Sequence, residues 1–372
     1  MAYLPPTRME VHLDALKHNY GIVERLVGSR CEIFAVVKAD AYGHGAVRLA
    51  HFFHDCGCRN FAVARVEEGI ELRKSGITGA ILVLGQASLD SAEAVLDHDL
   101  ICACTEFRFA EVLDRAASER GKKALIHVKI DTGMGRIGFK PQEFASVADK
   151  LFSLLNVAVD GIFTHFAVAD ENCPDYTDMQ FGRFKEVLNL LDGKGLKVRL
   201  RHACNSAAIM AHPDKYLDAV RPGIMLYGSC PLPEEPENMR LKSTFSFKSA
   251  VASLHEEVPF SGIGYGLRYM TRGKERIAAV PAGYGDGWTR TLSMKIDVLI
   301  KGRRCPVLGT ICMDQIMVDV TDLDNVDLGD EVVLLGTQGN ETISVEEIAA
   351  LRGTIAHEIP IALLGRVRRV YV

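Results

Sequence analysis

The first two-thirds of this chain repeat one pattern: a short, almost uninterrupted apolar run, a polar turn, then a segment with helical periodicity. The runs cover residues 32–37, 61–64, 80–84, 100–104, 124–130, 159–164, 198–202 and 224–227. Continuous apolar character, without alternation, is what a strand shows when helices cover both faces of its sheet, so these runs read as parallel strands. Helical patterns fill the gaps, for example at 66–74, 107–120, 141–155 and 176–191, with Pro141 placed as a first-turn proline. Eight such units in roughly 220 residues imply an α/β fold, a (β/α)8 barrel of the TIM type. A doubly wound open sheet is the alternative.

The texture changes after Pro231-Leu232-Pro233-Glu234-Glu235-Pro236, a proline- and glutamate-rich connection. Beyond it come short β-like runs at 245–254, 276–281, 296–300, 316–320 and 332–335. One helix opens at Ser344, with Glu347 three residues on in the capping-box arrangement. The expected organisation is a barrel over residues 12–236 and a mostly-β domain over 237–372, joined by residues 1–11.

A formal charge of −5 leaves no electrostatic footprint for nucleic acid or an anionic membrane. No apolar stretch approaches the ~20 residues of a membrane-spanning helix. The opening Met-Ala-Tyr-Leu-Pro-Pro lacks the basic start and apolar stretch of a signal peptide, so a cytoplasmic protein is expected. Ten cysteines are scattered without a framework, the pattern of free thiols in a reducing compartment. His51, His54, Cys56 and Cys58 cluster, but the C-x-C spacing departs from zinc-site spacing, and the group reads as a helix end; no metal is expected.

In a barrel the chemistry collects at the C-terminal ends of the strands. There the sequence puts Lys38 after the first strand, Arg136 after the fifth, His165 at the sixth, Asn205 and Ser206 after the seventh, and Arg221 with Gly223 at the eighth. A lysine that closes a buried strand must pair its charge, lose it, or snorkel to water. An amine whose pKa is lowered by burial is a nucleophile toward carbonyls. Ser206 and Gly223 fall where barrels hold phosphate, and a lysine beside a phosphate cradle suggests pyridoxal phosphate. Gly133-Met134-Gly135-Arg136-Ile137-Gly138 matches G-x-G-x-x-G and raises a nicotinamide dehydrogenase as a rival. Pro141 argues against it, because the helix would start after the glycines and its amides would not meet a pyrophosphate.

Ala35-Val36-Val37-Lys38-Ala39-Asp40-Ala41-Tyr42-Gly43-His44-Gly45 resembles the cofactor-lysine signature of the alanine racemases. The likeness runs along essentially the whole chain, through Lys129 to Gly138, Thr164-His165-Phe166, Asn205-Ser206, Arg221 to Gly228, Gly262 to Gly266, Gly283 to Gly287 and Gly309 to Asp314. The resemblance implies a pyridoxal-phosphate enzyme that interconverts L- and D-alanine, supplies D-alanine for peptidoglycan and works as a homodimer with shared active sites. Lys38 then forms the Schiff base with the cofactor and is the base on one face of the substrate. Tyr265, from the partner subunit, is the base on the other, since inversion needs a base on each side of the carbon. Tyrosine needs nearby positive charge to act near neutral pH, for which Arg136 and His165 are the expected sources. Arg221 faces the pyridine nitrogen, and because arginine keeps its proton the ring stays a poorer electron sink.

The same resemblance makes Tyr42, Ser206, Gly223 and Ile224 phosphate contacts and places His165 at the cofactor. Arg136, Met313 and Asp314 become substrate contacts, and Tyr284 narrows the entrance. Lys129 matches a lysine that is carbamylated in some relatives. One position departs from the family: His357 stands where a phosphate-contacting tyrosine is usual. The smaller, titratable side chain implies a broader alanine and serine racemase as the alternative. A decarboxylase of the same plan would carry an acidic residue at Arg221, and a non-catalytic pyridoxal-phosphate carrier would lack the β domain.

Overall fold

Apolar continuity in the first two-thirds of the chain is resolved as closure. In the computed structural model, which describes residues 4–29, 31–171, 173–363 and 365–372, eight parallel strands form a closed barrel. They are β1 (Glu32–Val36), β2 (Asn60–Val63), β3 (Ala80–Gln86), β4 (Ile101–Cys104), β5 (Ala124–Lys129), β6 (Val157–Phe163), β7 (Leu200–His202) and β8 (Ala219–Val220). β1 pairs with both β2 and β8, so no edge remains and the open-sheet alternative is excluded.

The eighth strand is not the one expected. Ile224–Tyr227 is a 3-10 helix, and the barrel is closed by the two residues Ala219–Val220 ahead of it. Pro222 has no N–H to give a ladder, and Gly223 leaves the strand region at φ −118°, ψ −99°. The run at 224–227 is buried for another reason: Tyr227 donates its hydroxyl proton to the Val36 carbonyl (2.9 Å) and packs its ring against Tyr42, centroids 4.6 Å apart. A short buried apolar run does not by itself distinguish a strand from a helical turn.

By contact density the chain divides into two units. One is Lys17–Leu241, which holds the barrel; the other takes the residues up to Leu16 with Lys242–Val372. Residues 1–3, expected to join the β domain, lie outside the described residues. The second unit is a largely antiparallel sheet whose order runs from Ser253–Glu257 through Glu275–Val280, Ile316–Asp319, Arg303–Leu308, Asp297–Ile300, Glu331–Gln338 and Phe245–Ala250 to Arg8–Val11 and Arg368–Tyr371. Phe245 and Phe247 are buried on it, and Trp288 packs against Phe247 at 5.5 Å.

The helix Val345–Arg352 starts where the capping box places it, with Glu347 N–H donating to Ser344 Oγ at 3.1 Å. A second short helix, Glu358–Ala362, carries no helical signature in the sequence because Pro360 lies inside it. No helix among the described residues is long and apolar enough to cross a membrane.

Candidate active site

Lys38 follows β1 at the barrel mouth, and the chain beyond it takes an unexpected course. Ala39, Asp40, Ala41 and Tyr42 all have φ between 51° and 54° with ψ between 40° and 53°, a full left-handed turn without a glycine. Each such residue costs about 1–2 kcal/mol, so the surroundings must hold the turn in place. Glu68 does much of this. Its carboxylate accepts from Ala39 N–H (2.7 Å), Ala64 N–H (2.7 Å) and Arg65 N–H (3.0 Å), tying the residue after Lys38 to the β2 end. Asp40 Oδ1 accepts from Ala46 N–H at 2.7 Å, which fixes the start of the next helix. Burial, then the charge of Arg136, push the Lys38 amine below the ordinary lysine pKa, while Glu68 pulls the other way.

Tyr42 ends the turn with its side chain buried, and burial raises its pKa, so its hydroxyl remains a proton donor. Ser206 opens the helix Ser206–Ala211, whose first turn is capped by Asn205 Oδ1 accepting from Ala208 N–H at 3.0 Å. Ser206 Oγ accepts from Gly223 N–H at 2.8 Å. A Cβ on residue 223 would stand 2.5 Å from Tyr42 Oη, so only glycine lets that hydroxyl approach the backbone. Two hydroxyls thus converge on the backbone just ahead of Ile224, the first residue of the 3-10 turn. Oriented N–H and O–H donors at such a turn favour a phosphate.

The G-x-G-x-x-G segment is a loop that folds back on its own strand. Gly133, Gly135 and Gly138 all have positive φ (152°, 69° and 110°), and a Cβ on Gly138 would strike the Lys129 carbonyl oxygen at 2.6 Å. Asp131 ties the loop by accepting from Gly133 and Gly135 N–H (3.1 and 3.0 Å) and from Lys140 Nζ (2.6 Å). Burial would raise its pKa, but these donors hold it at about 2. The following helix begins at Pro141, after the glycines, so no dinucleotide motif is formed. Arg136 is exposed on this loop, while Lys129 beneath it is 2 % exposed. Burial, followed by repulsion from Arg221, lowers the Lys129 amine to about 7.

Arg221 is buried at the end of β8. Its NH2 donates to the carbonyls of Thr164 (2.8 Å) and Ala203 (2.9 Å) and to His165 Nδ1 (3.2 Å). NH1 donates to His202 Nδ1 at 2.6 Å. Burial lowers its pKa to about 10, which leaves it charged at neutral pH. Burial, followed by the charges of Arg221 and Lys129, holds His165 well below the usual imidazole range. His165 is therefore neutral and is not the source of positive charge expected for it. Lys38, Lys129, Arg136, His165, Arg221 and Phe163 together line a cavity of about 320 Å³.

The remaining residues belong to the second unit. Tyr265 sits at the tip of a two-stranded ribbon, Gly262–Ile263 with Tyr269–Met270, flanked by Gly264 and Gly266 at φ 69° and 75°. It is 71 % exposed, and its carbonyl accepts from Thr310 Oγ1 at 2.9 Å. Tyr284 N–H donates to the Cys312 carbonyl (3.0 Å) and Gly285 N–H to that of Met313 (2.8 Å), lacing two loops together. Arg366 clamps them through Asp286 (2.7 Å) and Asp314 (2.8 Å). Tyr265, Tyr284, Met313 and Asp314 share a cavity of about 770 Å³. His357 precedes the helix Glu358–Ala362 in this unit.

Glu68, His127 and His202 were not singled out in the sequence. His127 and His202 meet their partners only across the barrel, and Glu68, whose bonds to Ala64 and Arg65 are local, reaches Ala39 only from the neighbouring βα unit. His51 Nε2 donates to the Ser75 carbonyl at 3.0 Å and the Cys58 thiol to that of Asn60 at 3.2 Å. Among the described residues no three His, Cys, Asp or Glu side chains group as metal ligands.

Residues 11–231 match the family model described as alanine racemase, N-terminal domain, and residues 244–371 the one described as alanine racemase, C-terminal domain. "Alanine racemase 2" of Caldanaerobacter subterraneus subsp. tengcongensis is 41 % identical over 368 residues, covering 99 % of this chain and 95 % of that protein. The alanine racemase structure of Clostridium difficile 630 superposes with a TM-score of 0.95 at 40 % identity, covering 100 % of this chain and 96 % of the other. The Bacillus anthracis alanine racemase, whose structure has bound L-Ala-P, gives 0.92 at 34 % identity, with 100 % and 96 % coverage.

Proposed function

The chain belongs to the alanine racemase family of isomerases, and we propose that it inverts alanine with two bases, Lys38 and Tyr265, and with pyridoxal phosphate as cofactor. The observation that carries this reading is Lys38, an amine with lowered pKa that lines the same cavity as Arg221. The residues fit the cofactor. Tyr42, Ser206 and the Gly223 and Ile224 backbone offer donors for its phosphate, where a Cβ at 223 would collide with Tyr42. Arg221 offers its donors to the ring nitrogen, with His165 beside it and His357 as a further contact. When bound, the cofactor supplies the electron sink that makes an α-proton removable.

Everything else is done by the chain. Lys38 accepts or returns a proton at the α-carbon from one side and Tyr265 Oη from the other. Arg136 and the Met313 N–H hold the substrate carboxylate, with Asp314 beside them, and Tyr284 narrows the approach. Tyr265 comes from the partner copy of a homodimer. Support for this is the exposed apolar group Tyr265, Leu267, Met270 and Met313 in one unit. Lys129 is set up for carbamylation: at a pKa of about 7 its neutral amine can add to carbon dioxide with loss of a proton, forming a carboxylate to hold Arg136. The protein works in the cytoplasm, supplying D-alanine for peptidoglycan, in keeping with its free cysteines.

The test is Tyr265→Phe in deuterated water. Racemisation falls by about 10²–10⁴-fold, the usual contribution of a general base. α-Hydrogen exchange persists for one enantiomer alone, the one whose proton faces Lys38. Undiminished racemisation contradicts the assignment.

A further inference from the structure

A line of hydrogen bonds runs through the inside of the barrel, from Arg221 at the mouth toward the opposite end. Arg221 NH1 meets His202 Nδ1 at 2.6 Å, His202 Nε2 meets His127 Nδ1 at 2.8 Å, and His127 Nε2 meets Asp160 Oδ2 at 3.2 Å. His127, His202 and Arg221 are all buried, where a TIM-type barrel ordinarily packs branched apolar side chains. Three features of the fold serve this line. The β5–β6 register slips between Ile126↔Val159 and His127↔Gly161, so Asp160 is a bulged residue turned toward the line. Gly161 carries no Cβ; one there would stand 2.8 Å from three atoms of the His127 ring. The His202 ring lies between Phe163 (4.8 Å, 3° between planes) and Phe34 (5.7 Å, 16°), which fixes its plane.

The donors and acceptors can be arranged in only one way. Arginine has no acceptor, so His202 Nδ1 must accept. A neutral His202 then carries its proton on Nε2 and donates to His127 Nδ1, and His127 in turn donates from Nε2 to the carboxylate. Both imidazoles are neutral, since burial depresses their pKa values. Asp160 is ionised: burial raises it, but the donors His127 and Arg199 (2.9 Å) together hold it well below the carboxylate range.

We propose that Asp160 is a positioning residue for Arg221, acting through His127 and His202 to fix both tautomers and keep an acceptor on NH1. This rests on the reading that Arg221 faces the cofactor ring. Placing two neutral rings between the cation and Asp160 gives Arg221 a directed acceptor without a carboxylate at the cofactor. A direct Asp–Arg pair at the mouth would cancel much of the field that the ring nitrogen meets.

Neutron diffraction of the deuterium-exchanged holoenzyme tests the line without any substitution. Deuterium on Nε2 alone of both His127 and His202 is expected; deuterium on Nδ1 of either ring overturns the proposal. Asp160→Ala then removes the final acceptor. The expected result is a displaced absorption band of the bound cofactor and a kcat/KM lower by about 10-fold or more, the scale seen when a partner that orients an imidazole is removed. Glu32→Gln, which removes the charge that pairs with Arg199 (2.8 Å) at a side chain also bonded to Asn60 Nδ2 (2.9 Å), leaves both unchanged. An Asp160→Ala enzyme within twofold of the parent, with an unmoved band, also overturns the proposal. A wild-type protein with no cofactor band instead refutes the cofactor reading, and the diffraction result still decides the hydrogen-bond line.

Discussion

Replacing Ala39 by glycine measures the turn that sets Lys38 at the barrel mouth. Ala39 stands at φ 51°, ψ 53°, with its side chain exposed and its N–H bonded to Glu68. Glycine adopts this conformation without the ~1–2 kcal/mol penalty of a side chain. Against this stands the extra freedom glycine gives the unfolded chain, about 0.4–1 kcal/mol. No packed methyl is lost, so Ala39→Gly is expected to be neutral to stabilising, by roughly 0–1.5 kcal/mol. In a right-handed helix the same exchange destabilises by about 1 kcal/mol, so the sign separates the two geometries. Urea unfolding at fixed protein and cofactor concentrations reads the difference, because both shift apparent stability. A loss of about 1 kcal/mol would refute the left-handed assignment and the account of Glu68 built on it.

Lys129→Met probes the buried amine. With a folded pKa near 7 against 10.5 unfolded, the charge penalty is complete below pH 7, fades as pH rises and vanishes above 10.5. In carbon dioxide-free buffer the variant's stability advantage over wild type should shrink across that window by about 5 kcal/mol, at ~1.4 kcal/mol per unit. A difference flat in pH means the amine is not held neutral by burial. His357→Tyr is expected to raise the alanine-to-serine ratio of kcat/KM severalfold, as a larger side chain closes the pocket. An unchanged ratio removes the broader-specificity reading.

Much of the barrel was legible because buried parallel strands announce themselves by apolar continuity, and seven of the eight runs became strands. The eighth failed because the same signal also marks a buried 3-10 turn, and Pro222-Gly223 was the local clue that the strand had ended. The left-handed turn could not be read from Ala39-Asp40-Ala41-Tyr42, none of which carries the glycine that usually marks positive φ. Lys38 was legible by its place after β1, but not Glu68, whose helix pattern looks solvated until the fold brings its carboxylate to Ala39. His127 and His202 lie 75 residues apart and meet only because β5 and β7 flank β6 in a closed barrel. The opposite success is the glycine loop, where Pro141 marked the helix start correctly and so disposed of the dinucleotide motif.

Borohydride reduction of the freshly purified protein, followed by peptide mapping, addresses the central claim most directly. The account expects a coloured preparation that bleaches on reduction, with a pyridoxyl group fixed on the peptide containing Lys38. Label on another lysine, or a colourless protein whose Lys38 peptide stays unmodified, would contradict it.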